Sequence, residues 1–542
     1  MLRLRQAMLG LLAGGLVAQS AQAADLPLKA KAIEYVRVCS LYGAGFWYIP
    51  GTDTCIKIGG YLRVDTTFNA SGSHGQPAWN GDSGQGNRFA DYFVSRSRFA
   101  LQVDTRTSTE YGVVRTFAQG DFQFNNFGSS NPSTVGAAPS VLGGLSGSFL
   151  NGVGGGYVAV EYVFIQFAGF TFGKSASPYA SPWQGFPGNL NSFLIGGESD
   201  DNAGINNIQY TAQFGNGVSL TIGAVDPTVW TRTPVFNLAL GVGAAGTGTN
   251  ASGGWTAPDF AGNIRIDQAW GLLQFSGAAH SVSGSYNVLG AGGVPVSGAT
   301  ALTDSVLSGH PDTKWGGAGM IALQIKNLPT GAGDDLKLDA SYSKGATKYV
   351  ISTSAASPSF AMFGGSSTAY QSVGFGATSD GVWLPVANGG DGRIHLTSSW
   401  GIRGAFNHNW DPYWSTSLFG GYAEVRYDGS TNDNLAGGAG LSTAMGAYCA
   451  AFAASHPGQA AVGNSTGAYT CNPNYEVSQI GLLTRWTPVK NLTFSAEVDW
   501  FHLYQHMSGS SVFTPTAPQP TALYEFKDQN TIAGEVRVQR NF

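Results

Sequence analysis

Charged side chains, long apolar runs and cysteine are all scarce in this sequence, and each scarcity excludes a class of protein. Asp, Glu, Lys and Arg make up 11% of the 542 residues, and the Glu/Lys/Ala-rich stretches that form exposed helices are missing. Beyond the N-terminus, no uninterrupted apolar stretch approaches the roughly 18 to 20 residues that a membrane-spanning helix needs. If the mature chain crosses a membrane, we expect it to do so as a closed β-barrel.

The first 23 residues have the organisation of a secretory signal peptide. Arg3 and Arg5 precede an apolar run over 8–18, and the AQA at 21–23 fits a cleavage site. We therefore expect export from the cytoplasm, with 24–542 remaining as a single domain. Loss of the two arginines changes the net charge from −5 to about −7, which gives no reason to expect nucleic acid as a partner.

Only four cysteines are present, Cys39, Cys55, Cys449 and Cys471, and they form two widely separated pairs. In an exported chain, the local pairings Cys39–Cys55 and Cys449–Cys471 are favoured among the three possible connectivities. A zinc site is the alternative, but no Cys-x-x-Cys motif and no nearby His pair supports it. We predict two disulfides, each contributing roughly 3 kcal/mol by restricting the unfolded chain.

The chain is rich in glycine (78 residues) and in aromatic residues (12%). Apolar and polar side chains also alternate repeatedly along it. Its last segment places Val536 and Val538 on one face and Glu535 and Arg537 on the other, as in a half-buried strand. An unpaired edge strand invites aggregation, and a barrel removes the edge by pairing the last strand with the first. We expect the last segment to pair with a first strand over 55–68.

Sixteen segments show a strand pattern, and the connections between them alternate between short and long. The long ones, about 22 to 50 residues each, are rich in Gly, Ser, Asn and Ala. Strict alternation is typical of a transmembrane barrel with periplasmic turns and extracellular loops. The predicted strands are 55–68, 91–105, 110–126, 157–168, 169–175, 205–214, 217–225, 263–269, 270–281, 315–327, 334–343, 395–409, 414–427, 475–487, 491–504 and 529–542. The predicted tight connections are 106–109, 168–169, 215–217, 270–271, 328–333, 411–412 and 488–490.

Two positions break the alternation. In 157–168, Glu161 shares a face with Val163 and Ile165, and near the end of the chain Arg540 occupies an apolar register. We expect either a shifted register at these places or a contact with a subunit or with the membrane interface.

Several segments closely resemble the alphaproteobacterial porins of the Rhizobiales and Brucella type, and they are spread over essentially the whole mature chain. They are ADLP (24–27), YVRVC (35–39), GFWYIPG (45–51), TCIKIGGY (54–61), FAGFTFGK (167–174), DQAWG (267–271), SLFGGY (417–422) and the terminal Phe542.

The resemblance implies an all-β, sixteen-stranded outer-membrane barrel, usually trimeric, that passes small hydrophilic solutes. It also implies that the third long loop, 175–204, folds into the lumen and that Phe542 is the C-terminal assembly signal. Outer-membrane lipid, lipopolysaccharide and the barrel-assembly machinery are the expected partners. The connections at 344–393 and 428–474 are longer than this family pattern leads us to expect.

A diffusion channel needs a polar constriction whose charges select what passes. The third loop carries Glu198, Asp200 and Asp201. Loop carboxylates that face arginines on the wall would create a transverse field, which orders water and favours solutes with a dipole. The arginines predicted to point inward near mid-strand are Arg63, Arg98, Arg115 and Arg403.

Two other interpretations of these charges stay open. The loop carboxylates could form a solvated turn while the arginines pair locally with Asp65, Asp104 or Asp121. Alternatively, the carboxylates over 198–201 could provide oxygen ligands to calcium, although the spacing is unspecific.

The sequence thus predicts a general diffusion porin that conducts ions and small hydrophilic solutes passively. A channel selective for a sugar or an anion is the alternative within the same fold. An adhesin with long surface loops and an outer-membrane hydrolase are further alternatives. None of the eight histidines is paired with Ser or Asp in a catalytic pattern, so we predict neither an enzyme nor a cofactor.

Overall fold

The computed structural model describes residues 37–69, 93–125, 157–190, 197–198, 204–227, 233–243, 246–287, 309–351, 359–430, 440–456, 470–514 and 520–542. The predicted signal peptide lies outside these residues. The strands are β1 (Trp47–Tyr48), β2 (Thr54–Phe68), β3 (Phe93–Thr109), β4 (Gly112–Asn125), β5 (Tyr157–Phe167), β6 (Phe170–Ser175), β7 (Ile205–Gly215), β8 (Val218–Val225), β9 (Val235–Asn237), β10 (Asp259–Gln268), β11 (Gly271–Val282), β12 (Lys314–Lys326), β13 (Asp335–Lys344), β14 (Phe360–Gly364), β15 (Gln371–Gly376), β16 (Gly381–Trp383), β17 (His395–Leu396), β18 (Ser398–Asn409), β19 (Trp414–Arg426), β20 (Tyr475–Val489), β21 (Leu492–Gln505), β22 (Ser510–Phe513), β23 (Ala522–Phe526) and β24 (Gln529–Asn541).

Sixteen of these strands form one closed antiparallel barrel, as the sequence predicts: β2 to β8, β10 to β13, β18 to β21 and β24. In the described residues, the remaining strands, an α-helix and five 3₁₀ turns belong to the segments outside the barrel wall. The helix is α1 (Ala444–Ser455), and the 3₁₀ turns are Ser40–Tyr42, Leu238–Leu240, Thr347–Tyr349, Val386–Asn388 and Gly440–Ser442. Within the described part of the chain, no helix is long and apolar enough to cross a membrane.

The last strand pairs with the first, which closes the sheet. Partners run from Tyr61 opposite Asn541 to Phe68 opposite Gly534. Just beyond β24, the backbone N–H of Phe542 donates to the carbonyl oxygen of Gly60 at 3.1 Å. The predicted pairing of the chain ends is therefore confirmed, and the backbone groups of both strands have partners.

The two faces of the wall differ in polarity. On β24, Ile532 is 59% exposed and Val536 47% exposed on the outer face, whereas Glu535 and Arg537 are buried on the inner face. This is the alternation that a lipid-facing wall around a polar lumen requires.

The connections alternate in length as predicted: seven tight turns alternate with eight long connections, which we call L1 to L8. One predicted turn is wrong: 106–109 belongs to β3, and the turn lies at 110–111. The backbone ladder pairs Thr109 with Gly112, so β3 continues four residues beyond its predicted end at 105. The Thr109 hydroxyl also donates to the carbonyl oxygen of Gly112 at 2.6 Å. The long connections are L1 (69–92), L2 (126–156), L3 (176–204), L4 (226–258), L5 (283–313), L6 (345–397), L7 (427–474) and L8 (506–528).

A β-bulge explains the irregular alternation in β5. Pairing with β4 shifts register between Gln119 opposite Tyr162 and Gly120 opposite Val160. Glu161 is the extra residue, so Glu161 is buried while Val160 and Val163 both remain exposed on the outer face. The second irregular residue, Arg540, is exposed and donates to the carbonyl oxygen of Lys490 in the adjacent turn at 2.5 Å.

Both predicted disulfides are present. Cys39–Cys55 holds the segment that contains β1 against β2. Cys449–Cys471 ties α1 to the chain just before β20.

Four long connections fold together into one apolar core, which the sequence analysis did not predict. We call this group the loop core: Phe236 of L4, Phe375 of L6, Phe452 of L7 and Phe526 of L8 are all buried within it. The inner face of the wall completes it through residues that include Tyr475 and Phe501. The sheet β14-β15-β23-β22 joins L6 to L8 through parallel pairing of β15 with β23.

We expect Gly60→Ala to destabilise the barrel seam. Gly60 has φ of +148°, and a Cβ there would overlap the carbonyl oxygen of Ala100 on β3. Backbone strain and overpacking together should lower the free energy of unfolding by about 2–4 kcal/mol. Unfolding in urea, followed by heat-modifiable gel mobility, measures the change. Gly120→Ala is the matched control, because a Cβ at Gly120 meets open space; equal stability of both variants would contradict the account.

Candidate functional site

The described part of L3 lies against the inner face of the barrel wall. Six side chains from five strands bond to its backbone, since a loop inside the lumen must satisfy its own polar groups. These contacts are Asn263 to the Pro178 oxygen (2.6 Å), Gln274 to the Ala180 oxygen (2.8 Å), Arg403 to the Glu198 oxygen (2.7 Å), Asn407 to the Pro187 oxygen (3.0 Å), Arg485 to the Gly188 oxygen (2.7 Å) and the Leu190 N–H to Glu497 Oε2 (2.6 Å).

A buried ion pair is the central anchor of L3. Arg403 Nε donates to both carboxylate oxygens of Asp339, at 2.9 and 3.0 Å, and both side chains are fully buried. Trp183 of L3 donates its indole N–H to the same carboxylate at 2.6 Å. Gly197 crosses directly over the pair with φ of +129°, where a Cβ would come within 2.6 Å of the carboxylate. Only glycine fits at this crossing.

L3 and L6 meet at a second buried cluster on β10 and β11. Asp259 accepts hydrogen bonds from Tyr349 at 2.7 Å and lies 2.6 Å from Lys348 Nζ, both in L6. His280 Nδ1 lies 2.7 Å from the same carboxylate. The ring of Tyr179 in L3 packs on Tyr349 with centroids 4.6 Å apart. Burial raises the pKa of the Tyr179 hydroxyl well above its ordinary value, which keeps the hydroxyl protonated.

The wall formed by β2, β3, β4 and β24 carries most of the remaining inward arginines, and most of these pair with carboxylates of the same wall or of the adjacent β5. Arg98 lies 2.6 Å from Asp121 and 3.5 Å from Glu161. Arg115 lies 3.0 Å from Asp104. Arg98 and Arg115 thus form the local ion pairs with wall carboxylates that the sequence left open as an alternative.

Arg63 differs from its neighbours. Its Nε donates to the neutral amide oxygen of Gln539 at 2.8 Å, and its guanidinium lies 4.5 Å above the ring of Tyr61. In the described part of the chain, Arg63 forms no ion pair with a carboxylate. Its positive charge is therefore the least compensated on this wall.

The predicted site residues do not form a single opposed set. Arg403 lies beneath L3 and bonds to the backbone of Glu198, whereas Arg63, Arg98 and Arg115 belong to the wall from β2 to β4. Glu198 is buried, 2% exposed. Asp200 and Asp201 lie outside the described residues, so both the transverse field and the calcium site that involve them stay predictions.

Sequence reasoning missed a buried network at the seam. Asp65 accepts hydrogen bonds from Arg96 Nη2 at 2.6 Å and from Arg537 Nε at 3.1 Å. Arg537 Nη2 also donates to Glu535 at 2.7 Å. The signal was available, since period-two alternation already places Glu535 and Arg537 on the polar face of the last strand.

Comparison with known proteins finds porins, both by family model and by sequence identity. The family model described as "Porin subfamily" matches residues 25–535. Porin Omp2b of Brucella suis is 31% identical over 281 residues, which cover 50% of this chain and 65% of that protein. Porin Omp2b of Brucella neotomae is 29% identical over 338 residues, 60% of this chain and 82% of that protein. The first curated relatives are thus matched over about half to two thirds of their length.

The fold is also found in a solved structure. The outer membrane channel DcaP of Acinetobacter baumannii superposes with a TM-score of 0.51 over 91% of this chain and 99% of that chain. At 13% identity, the likeness concerns the fold alone.

We expect Arg403→Gln to cost about 3–5 kcal/mol of folding free energy, because Asp339 would then be a buried charge without its partner. The double variant Arg403→Gln/Asp339→Asn removes both charges and should recover most of that loss. Urea unfolding of wild type, both single variants and the double variant measures the coupling. Additive losses in the double variant would contradict the proposed pairing.

Proposed function

The chain belongs to the porin subfamily, and we propose on this basis that it is a general diffusion porin. It forms a water-filled channel in the outer membrane and passes ions and small hydrophilic solutes down their gradients. The observation that carries the proposal is the closed sixteen-stranded barrel with an apolar outer face and a polar inner face.

The position of L3 supports a mechanism for the constriction. L3 is bonded to β10, β11, β13, β18, β20 and β21, which holds it to one side of the lumen. The path for solutes then runs between L3 and the arginine-bearing wall of β2, β3, β4 and β24. Charge pairs such as Arg115–Asp104, whose side chains are 28% and 12% exposed, present both signs of charge to water in this path. Arg63 adds a positive charge that has no carboxylate partner among the described residues. No catalytic role is assigned to any of these groups.

The proposal also covers export of the chain, assembly of its copies and their location in the outer membrane. Residues 1–23 are removed on export, and 24–542 form one barrel domain. Three copies assemble into a trimer embedded in outer-membrane lipid and lipopolysaccharide. Phe542, whose ring stacks on Phe99 beside the seam at 6.0 Å between centroids, is the signal that the barrel-assembly machinery recognises.

The loop core favours a second candidate, a channel selective for one solute class such as a sugar or an anion. It packs L4, L6, L7 and L8 against the inner wall near the ends of β19, β20 and β21. Such packing narrows the extracellular mouth more than separate loops would.

Single-channel recording of detergent-purified, unheated protein in a planar bilayer tests the function. A general diffusion porin gives conductance that rises linearly with salt and closes in three equal steps. Conductance that saturates, or that a sugar blocks at low concentration, supports the selective channel instead. A verified folded barrel that conducts nothing overturns both.

We expect Arg63→Gln to shift the reversal potential in a salt gradient toward cation preference more than Arg115→Gln does. Among the described residues no carboxylate pairs with Arg63, whereas Asp104 keeps its second partner, Arg106, at 3.0 Å when Arg115 is removed. Reversal potentials of the two variants in a tenfold gradient of KCl give the comparison. Equal shifts would show that Arg63 does not face the permeation path.

A further inference from the structure

Charged and aromatic side chains form a continuous row on the outer face of the barrel, near the extracellular ends of β13 and β18 to β21. The row follows direct cross-strand pairing. Its members are Tyr342, Trp400, Glu424, Glu476 and Tyr504.

These residues point away from the lumen. Tyr342, Trp400 and Tyr504 are 57%, 42% and 40% exposed on the outer face. On β19, the side chains on either side of Glu424, Ala423 and Val425, are buried in the loop core on the inner face. The two glutamates of the row are direct cross-strand neighbours, an arrangement that like charges disfavour.

Local partners compensate these two carboxylates. The Trp400 indole N–H donates to Glu424 Oε2 at 2.5 Å, and Arg426 pairs with the same carboxylate. His506 Nε2 lies 2.9 Å from Glu476. Charged side chains on a lipid-facing wall cost little only near the membrane interface, so the row lies at the level of the outer-leaflet headgroups.

A cavity of about 400 Å³ opens directly above the row. Lys344, Arg426 and His506 line it as cationic or titratable groups, and Glu424, Asp428 and Glu476 line it as carboxylates. Asn472, Asn474 and Ser398 add neutral donors and acceptors. Such a mixture of donors and acceptors beside exposed aromatic rings suits the hydroxyls and the charged substituents of a saccharide.

Below the row, the same outer face becomes apolar. Leu418, Leu482 and Val498 are cross-strand neighbours, each about half exposed. Leu418 is six residues from Glu424, which is roughly 20 Å along the strand. A polar cavity above an apolar stripe fits an amphipathic ligand with a sugar headgroup and acyl chains.

We propose that this face is a binding site for a lipopolysaccharide molecule of the outer leaflet, with its phosphorylated saccharide in the cavity and its acyl chains along the stripe. The proposal rests on the outer-membrane placement proposed above and not on conduction. It names a site for the lipopolysaccharide contact that we expect for this protein.

The test uses full-length protein refolded from inclusion bodies, which carries no lipopolysaccharide, and measures its affinity for purified lipopolysaccharide by microscale thermophoresis. The double variant Lys344→Gln/Glu476→Gln keeps the net charge and removes two groups that line the cavity. Its affinity should fall by about tenfold or more, since charge-assisted hydrogen bonds are lost. Lys527→Gln/Glu525→Gln, an ion pair of L8 at 3.0 Å, is the matched control and should bind like wild type.

Three further readouts make the outcome decisive. Heat-modifiable mobility must show that both double variants are folded, and their conductance should equal that of wild type. Dephosphorylated lipopolysaccharide should bind more weakly to wild type than the intact form does. Unchanged affinity in Lys344→Gln/Glu476→Gln overturns the proposal. If that variant also loses the trimer, the face is a subunit contact instead. If the wild-type protein binds lipopolysaccharide but conducts no ions, only the proposed function is contradicted.

Discussion

The pairing of β2 with β24 is the interaction on which the rest of the structure depends. In hydrocarbon, an unpaired backbone N–H or C=O costs several kcal/mol, so a sheet is stable there only when it has no edge. The seam provides this closure through a ladder that ends at the Phe542 N–H and the Gly60 carbonyl. The buried network of Asp65, Arg96 and Arg537 lies on the inner side of the same seam. Closure therefore fixes both the outer apolar wall and the charged inner wall.

A barrel of sixteen strands encloses more space than side chains can fill, and the described parts of L3, L4, L6, L7 and L8 occupy part of it. L3 is held to one side by Asp339 and Arg403 and by polar side chains from several strands. L6 is held through Asp259, Lys348 and His280, and the loop core joins L6 to L4, L7 and L8. In the function that we propose, these anchors leave the wall of β2 to β4 and β24 as the polar boundary of the permeation path.

The barrel was predictable from sequence because strand alternation is a local signal that repeats sixteen times. The disulfides were predictable because each pair lies close in sequence, 16 and 22 residues apart. The loop core was not predictable, since Phe375 and Phe526 lie on strands of only six and five residues, too short to give a clear periodic pattern. Likewise α1, with residues such as Met445, Tyr448 and Phe452 all buried, lacks the amphipathic pattern that marks a surface helix. Periodicity correctly placed Arg98 and Arg115 on the inner face, but it carries no information on which carboxylate each one reaches. The bulge at Glu161 shows the same limit, because one extra residue reverses the faces.

The central claim is that solutes pass between L3 and the wall of β2 to β4, and thiol modification during conduction tests it most directly. All four native cysteines are in disulfides, so an introduced cysteine provides a unique thiol. Gln102→Cys places it on the inner face of β3, where Gln102 bonds to Gln119 at 2.8 Å, and Gln479→Cys places it on β20, where Gln479 is 3% exposed. We expect a bulky charged thiol reagent to lower the single-channel conductance of Gln102→Cys and to leave that of Gln479→Cys unchanged. Block of Gln479→Cys with no effect on Gln102→Cys would place the path on the other side of L3 and contradict the account.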